Sequence, residues 1–181
     1  MNTDTISLDR IEPYPVRETE DNTFYFTTTA GNEYQIYFAR YWQQDVVDLC
    51  LNSRIPVYEF YFEVVHKSCA VMDKRIAPTI FSVVDDFVSR TNSVLFYITQ
   101  RDDGRSKELF RVYQLWFNEY KRTRFNMLNK TDRAVWYGRI AEAYISCIYK
   151  ADANFGKKNI EEMINVVLEE IYPNARVTGY E

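Results

Sequence analysis

A predicted helix start in the middle of the chain carries residue types that could hold a phosphate. The stretch reads Asp73-Lys-Arg75-Ile-Ala-Pro78-Thr79-Ile80. The first N–H groups of a helix have no partner within the helix, so they can bind an anion. A phosphate cradle also needs glycine, because a Cβ blocks the close approach of backbone to phosphate. Pro78 has no N–H to donate and Ile80 is bulky, so the sequence predicts a helix start that lacks the usual phosphate-binding turn.

The same residues also have a structural interpretation. Asp73 would repel a phosphate, but it could pair with Arg75 and lock the turn. Asp73 or Thr79 could accept hydrogen bonds from the free N–H groups at the helix start. Both interpretations stay open, so Asp73, Arg75 and Thr79 are candidate ligand-binding residues. The turn after the next strand supplies three more candidates, Asp103, Gly104 and Arg105.

The sequence offers few residues for metal-dependent or thiol chemistry. Cys50, Cys69 and Cys147 lie far apart and His66 is the only histidine, so the usual set of about four zinc ligands is missing. We expect no metal, no cofactor and buried, reduced thiols. A net charge of −4 gives no reason to expect nucleic-acid binding. The polar N-terminus and the absence of an apolar run of about 18 residues predict a cytoplasmic protein with no membrane segment.

The helices and strands that would position these candidate residues can be predicted from the spacing of apolar residues along the chain. A hairpin is predicted over 23–40, with its turn at Ala30-Gly31-Asn32, because both arms alternate and the turn residues tolerate positive φ. A third strand is predicted over 55–66, and 41–54 is a loop or a short helix. A helix should begin near Pro78, and the nearly continuous apolar run 93–99 should form a central strand.

The later segments are predicted in the same way. A helix is expected over about 105–123, strands over 124–130 and 139–152, and an amphipathic helix over 159–172. Residues 5–10 could form a short edge strand. The whole chain, 1–181, is therefore predicted to be one α+β domain with a mostly antiparallel mixed sheet and two to three packed helices.

Four short motifs follow one another in the middle of the chain. They are Asp73-x-Arg75-Ile76-x-x-Thr79-Ile80, Asn92-x-Val94-Leu95-x-Tyr97-Ile98, Asp103-Gly104-Arg105-Ser106 and Arg111-Val112-Tyr113-x-x-Trp116-Phe117. Their order and spacing resemble a domain family of unknown function found mainly in Bacteroidota, over roughly residues 20–155. This resemblance implies a fold but no activity.

The predicted order of elements is also similar to the GNAT acetyltransferase fold from its second strand on. That resemblance implies acetyl-CoA as a cofactor and a Q/R-x-x-G-x-G/A turn that cradles its pyrophosphate. Here Arg75 stands at the first place, while Pro78 and Ile80 stand where the two glycines belong. The resemblance is thus incomplete at the residues that would bind the cofactor.

The GNAT resemblance also implies catalytic candidates. Tyr113 stands close to the position of the family's general acid, and Glu59 or Glu63 could act as a base or position a water molecule. Each has a structural alternative, because Tyr113 lies on the inward stripe of its helix. Glu59 and Glu63 lie on one face of the third strand, which could simply be solvated.

Because no catalytic set is complete, the sequence favours a small, non-catalytic binding or interaction module that acts through a protein partner. An immunity protein, an antitoxin or a phage-defence component would belong to this class. The alternative is an atypical GNAT-like N-acyltransferase that uses acyl-CoA. A homodimer formed through exposed Tyr and Phe side chains is a third hypothesis, suggested by an aromatic content of 17%.

Overall fold

The computed structural model describes residues 11–70, 73–99, 105–128, 133–140, 143–150, 153–171 and 177–180, with side chains described for 11–70, 73–99, 105–118, 144–150 and 153–170. In these residues the helices are α1 Gln44–Leu51, α2 Ile76–Thr91, α3 Ser106–Leu128 and α4 Lys157–Ile171. The strands are β1 Arg17–Thr19, β2 Thr23–Thr27, β3 Glu33–Arg40, β4 Val57–His66, β5 Val94–Thr99, β6 Arg133–Ile140, β7 Ala143–Lys150 and β8 Val177–Tyr180. The predicted edge strand at 5–10 lies outside the described residues.

One mixed sheet organises the described chain, in the order β1-β2-β3-β4-β5-β7-β6-β8. The neighbouring strands pair antiparallel except for β4 and β5, which are parallel. This confirms the predicted α+β class with a mostly antiparallel sheet. The parallel pair is short, because it joins only residues 57–59 to residues 94–96 although β4 continues to His66.

The predicted hairpin of β2 and β3 is confirmed. Gly31 has φ +80°, a conformation that side chains with a Cβ rarely adopt, and its N–H donates to the carbonyl of Thr28. The N–H of Thr28 in turn donates to the carbonyl of Asn32. Alternation along the arms then turns Phe24, Phe26 and Ile36 into the core.

Two helices cover each face of the sheet. Helices α2 and α3 pack on one face, and α1 and α4 pack on the other. Side chains of β5 alternate between the two cores: Val94 and Phe96 belong to the α1–α4 core, and Leu95 and Tyr97 to the α2–α3 core. This explains the nearly unbroken apolar run, since a strand buried on both faces needs no polar alternation.

Two expectations are corrected by the structure. The strand predicted over 124–130 is wrong, because α3 continues to Leu128; no proline or glycine occurs in this stretch to end it. Residues 133–140 form β6, which pairs with β7 on the side away from β5 and was not predicted as a separate strand. The described residues also hold four helices rather than two to three, since 41–54 contains α1. None of the helices in the described residues has the length and apolar character needed to cross a membrane.

Candidate functional site

A carboxylate from the chain itself accepts a hydrogen bond from a backbone N–H at the start of α2. Asp73 Oδ1 accepts a hydrogen bond from the backbone N–H of Arg75 (2.9 Å). Its other oxygen, Oδ2, accepts one from the hydroxyl of Tyr14 (2.6 Å). Because an N–H at this helix start already bonds an internal anion, it is not free to hold a phosphate.

Arg75 holds the segment Glu12–Tyr14, which we name the N-terminal strap. Its Nε donates to the carbonyl of Glu12 (2.7 Å) and its Nη2 to the carbonyl of Pro13 (3.0 Å). The guanidinium also lies 3.9 Å from the centre of the Tyr14 ring, within the range of a cation–π contact. The arginine therefore fixes the strap, and the described contacts include no pairing of its guanidinium with the Asp73 carboxylate.

Thr79 completes this arrangement from inside α2. Its side chain is fully buried, its hydroxyl donates to the carbonyl of Arg75 (2.6 Å) and accepts from the N–H of Tyr14 (2.8 Å). The structure thus brings Asp73, Arg75 and Thr79 together, with their polar groups bonded to one another or to the strap. Of the second predicted group, Asp103 and Gly104 lie outside the described residues. Arg105 is exposed immediately before α3.

The gap between the diverging strands β4 and β5 is filled with aromatic side chains on the α2–α3 face. Phe60 contacts Tyr97 edge-on at 5.9 Å between ring centres, and Tyr97 contacts Tyr113 edge-on at 5.6 Å. Trp116 packs beside Tyr113 at 5.6 Å. The cavity left among them measures about 20 Å³, close to the room one water molecule needs. Tyr113 therefore stands in an apolar setting, half-buried.

The opposite face of β4 carries the two predicted carboxylates beside a pair of tyrosines. Tyr37 and Tyr61 are opposite each other in the β3–β4 register and stack at 4.4 Å between ring centres. Burial raises the pKa of the Glu59 carboxyl, while a hydrogen bond with Tyr61 works in the opposite direction. Burial, and then the bond to Glu59 and its charge, raise the pKa of the Tyr61 phenol. Glu63 is exposed further along the same face.

This geometry predicts a pH dependence that Glu59→Gln should remove. Because the pKa of Glu59 is higher in the folded protein than its ordinary value of 4.5, the folded state keeps the proton longer than the unfolded state. Stability should therefore fall as pH rises from about 4.5 through the raised folded-state pKa. Urea unfolding at a series of pH values would measure this slope. An equal change in the matched variant Glu63→Gln would contradict the assignment to Glu59.

The sequence analysis missed the strap. Pro13 and Pro15 flank Tyr14, and no periodicity links this segment to a helix some 60 residues away. A tyrosine between two prolines was the one local signal of a rigid segment. In the described residues, no group of three or more His, Cys, Asp or Glu side chains is arranged to hold a metal ion.

Comparison with known proteins gives one match. Residues 72–158 match the model of a family described as a Family of unknown function (DUF6169). The matched segment covers the four motifs, from the start of α2 to the start of α4, and confirms the resemblance to a family of unknown function. No curated protein and no solved structure matches the chain.

Proposed function

We propose that this chain is a non-catalytic interaction module that binds a protein partner through α1. The observation that carries the proposal is an exposed apolar surface made by Trp42, Val46 and Leu49, which we name the α1 stripe. Trp42 is 76% exposed and Leu49 is 82% exposed. Large apolar side chains grouped on a surface mark interaction sites, and tryptophan is among the residues enriched at binding hot spots.

Charge around the α1 stripe indicates the kind of partner. Helix α1 contains Asp45 and Asp48 and no lysine or arginine. Its N-terminal end is tied to the end of α4, because the hydroxyl of Tyr41 and the amide of Gln43 both donate to Glu170. The Glu170 carboxylate therefore lies beside the residues that flank Trp42, and the charged residues of α1 itself are both acidic. A partner segment with apolar and basic side chains would complement this surface.

Two places where a cofactor or substrate could have bound are occupied by side chains of the chain itself, which supports a role without catalysis. The internal bond of Asp73 at the start of α2 takes up an N–H that a phosphate would need. The aromatic side chains between β4 and β5 leave room for about one water molecule. We place the module in the cytoplasm, where the free cysteines would stay reduced. Immunity protein, antitoxin and phage-defence component remain the roles proposed within this class.

A native pulldown with variants of the α1 stripe tests this function. We expect the wild-type chain to capture a protein, and a photo-reactive amino acid placed at position 49 to cross-link to a basic, apolar segment of that protein. Trp42→Ala should weaken that binding by about 30-fold, which corresponds to about 2 kcal/mol. The matched control is Leu115→Ala on α3, which is 68% exposed and lies outside the stripe.

The same experiment has clear contrary outcomes. Capture that survives Trp42→Ala, or that Leu115→Ala weakens equally, would show that the α1 stripe is not the docking surface. Light scattering decides whether the occupant is a second copy of the chain. A dimer that dissociates in Trp42→Ala would replace the proposed partner by self-association.

One structural observation favours the acyltransferase as a second candidate. The sheet order, with a single parallel pair that diverges after three residue pairs, is similar to the strand arrangement of the GNAT fold. If the chain uses acyl-CoA, acetyl-CoA at about 100 times its Kd should stabilise the fold by about 2.7 kcal/mol. Turnover of an amine acceptor should then fall in Tyr113→Phe and in Glu59→Gln. No thermal shift and no turnover would leave the interaction module as the function.

A further inference from the structure

Strands β1 to β4 have one face under α2 and a second face that the described helices leave mostly open. Alternation puts Phe24, Ile36 and Phe60 in the core beneath α2, so the residues between them lie on the second face. Helices α1 and α4 cover that second face only at the start of β4, because their core includes Val57 but no residue of β1, β2 or β3. We name the open part the tyrosine face. The residues that define it are Arg17, Tyr25, Tyr37, Glu59, Tyr61 and Glu63.

A guanidinium already lies on one aromatic ring of the tyrosine face. The central carbon of the Arg17 guanidinium is 5.1 Å from the centre of the Tyr25 ring, within the range of a cation–π contact. Arg17 and Tyr25 are opposite each other in the β1–β2 register, so the contact runs across the surface of the sheet. Tyrosine rings on this face are therefore accessible to a guanidinium group from the solvent side.

Two further tyrosines stand between two carboxylates on the same face. The rings of Tyr37 and Tyr61 stack with their planes 7° apart, so each ring has one side against the other ring and one side turned away from it. Glu59 and Glu63 lie two residues before and after Tyr61, at about 7 Å along the strand. Burial, and then the charges of Glu63 and Glu59, raise the pKa of the Tyr37 phenol. Both carboxylates therefore act on this pair of rings.

Aromatic rings and carboxylates together select an organic cation as the ligand. A guanidinium is planar, so it can lie on a tyrosine ring and donate to a carboxylate at the same time, whereas an ammonium is a strongly hydrated point charge. The tyrosine face extends across four strands, which suits a protein segment, and tyrosine is enriched at protein interfaces. We propose that it binds an arginine-bearing segment of a protein partner, with a guanidinium over the Tyr61 ring and beside the exposed Glu63.

An NMR titration of the full-length chain with ¹³C-labelled tyrosine tests the proposal, with a capped pentapeptide of alternating glycine and arginine as the probe. We expect saturable shifts in the ring signals of Tyr37 and Tyr61 at millimolar peptide, and weaker binding of the same peptide with lysine in place of arginine. Tyr61→Leu should weaken binding by about fivefold, since the ring is lost, and Tyr61→Phe should weaken it less. Glu63→Gln should weaken binding by about threefold. The matched control Glu108→Gln removes an exposed carboxylate from α3, on the other side of the sheet, and should leave binding unchanged.

Several outcomes would overturn the proposal. They are the absence of saturable shifts at tens of millimolar peptide, equal binding of the lysine peptide, and equal weakening by Glu108→Gln. The same ring shifts on concentrating the chain without peptide would show that a second copy covers the face. Glu63 is exposed, so its variant keeps the test decisive if Tyr61→Leu fails to fold. Trp42→Ala should leave peptide binding unchanged, and an effect as large as that of Tyr61→Leu would place the peptide on the α1 stripe instead. The two proposals can therefore fail independently.

Discussion

Replacement of Tyr14 by alanine should lower the free energy of unfolding by about 3–5 kcal/mol, the usual cost of deleting a large buried side chain. Tyr14 is only 7% exposed, and its ring stacks on Phe26 at 6.0 Å between ring centres. Its hydroxyl bonds Asp73 at 2.6 Å and lies 3.0 Å from the hydroxyl of Thr29. The alanine variant would lose the ring, the cation–π contact with Arg75 and these hydrogen bonds together.

Tyr14→Phe separates the hydroxyl from the ring. We expect a loss of about 1–3 kcal/mol, because Asp73 would lose one donor while the ring stays packed. The matched control is Tyr25→Phe, which removes a hydroxyl from the half-buried Tyr25 on β2 and should change stability by less than about 0.5 kcal/mol. Urea unfolding followed by circular dichroism measures all three variants. Wild-type stability in Tyr14→Phe would show that the hydroxyl does not hold Asp73 in solution.

Phe87→Ala should cost a similar 3–5 kcal/mol, for a different reason. Phe87 is 1% exposed and joins α2 to the sheet: its ring stacks on Phe38 at 3.8 Å and meets Tyr58 edge-on at 5.0 Å between ring centres. Alanine would leave a cavity between helix and sheet, because neighbouring side chains relax only partly into such a space.

Two further variants make this prediction specific. Phe87→Leu keeps much of the volume and should cost less than the alanine variant. Asp86→Ala, the neighbouring residue on the same helix, removes an exposed ion pair with Arg90 and should cost less than about 1 kcal/mol. Thermal and urea unfolding should rank the three in that order. A loss in Asp86→Ala as large as that in Phe87→Ala would contradict a dominant role for the ring.

Local patterns predicted the elements that depend on nearby residues. The β2–β3 hairpin, α2, β5 and α4 follow from alternation, helical periodicity and turn residues within one segment. The β6 strand was missed because α3 has no sequence signal for its end, so the boundary between helix and strand could not be placed. In the structure, β6 pairs with its neighbour in sequence, β7, from Ile140↔Ala143 to Arg133↔Lys150, and with the distant strand β8.

The contacts of the candidate site, too, could be predicted only between residues that are close in sequence. Asp73, Arg75 and Thr79 lie together in the structure because they are close in sequence, around the start of α2. Their partners could not be predicted, since Tyr14 lies 59 residues from Asp73 and 65 residues from Thr79 in sequence. Whether a carboxylate at a helix start meets a ligand or another part of the chain depends on such distant contacts.

The short parallel pair between β4 and β5 has a mechanical consequence. Three residue pairs join these strands, whereas eight join β3 to β4 and five join β5 to β7. Parallel pairing is also slightly weaker per residue than antiparallel pairing. The backbone amides along this line should therefore exchange with deuterium earlier than those inside either group of antiparallel strands. The strands on either side of this line should therefore move as two rigid groups. Helix α2 packs across the junction between the two groups and would limit how far they separate.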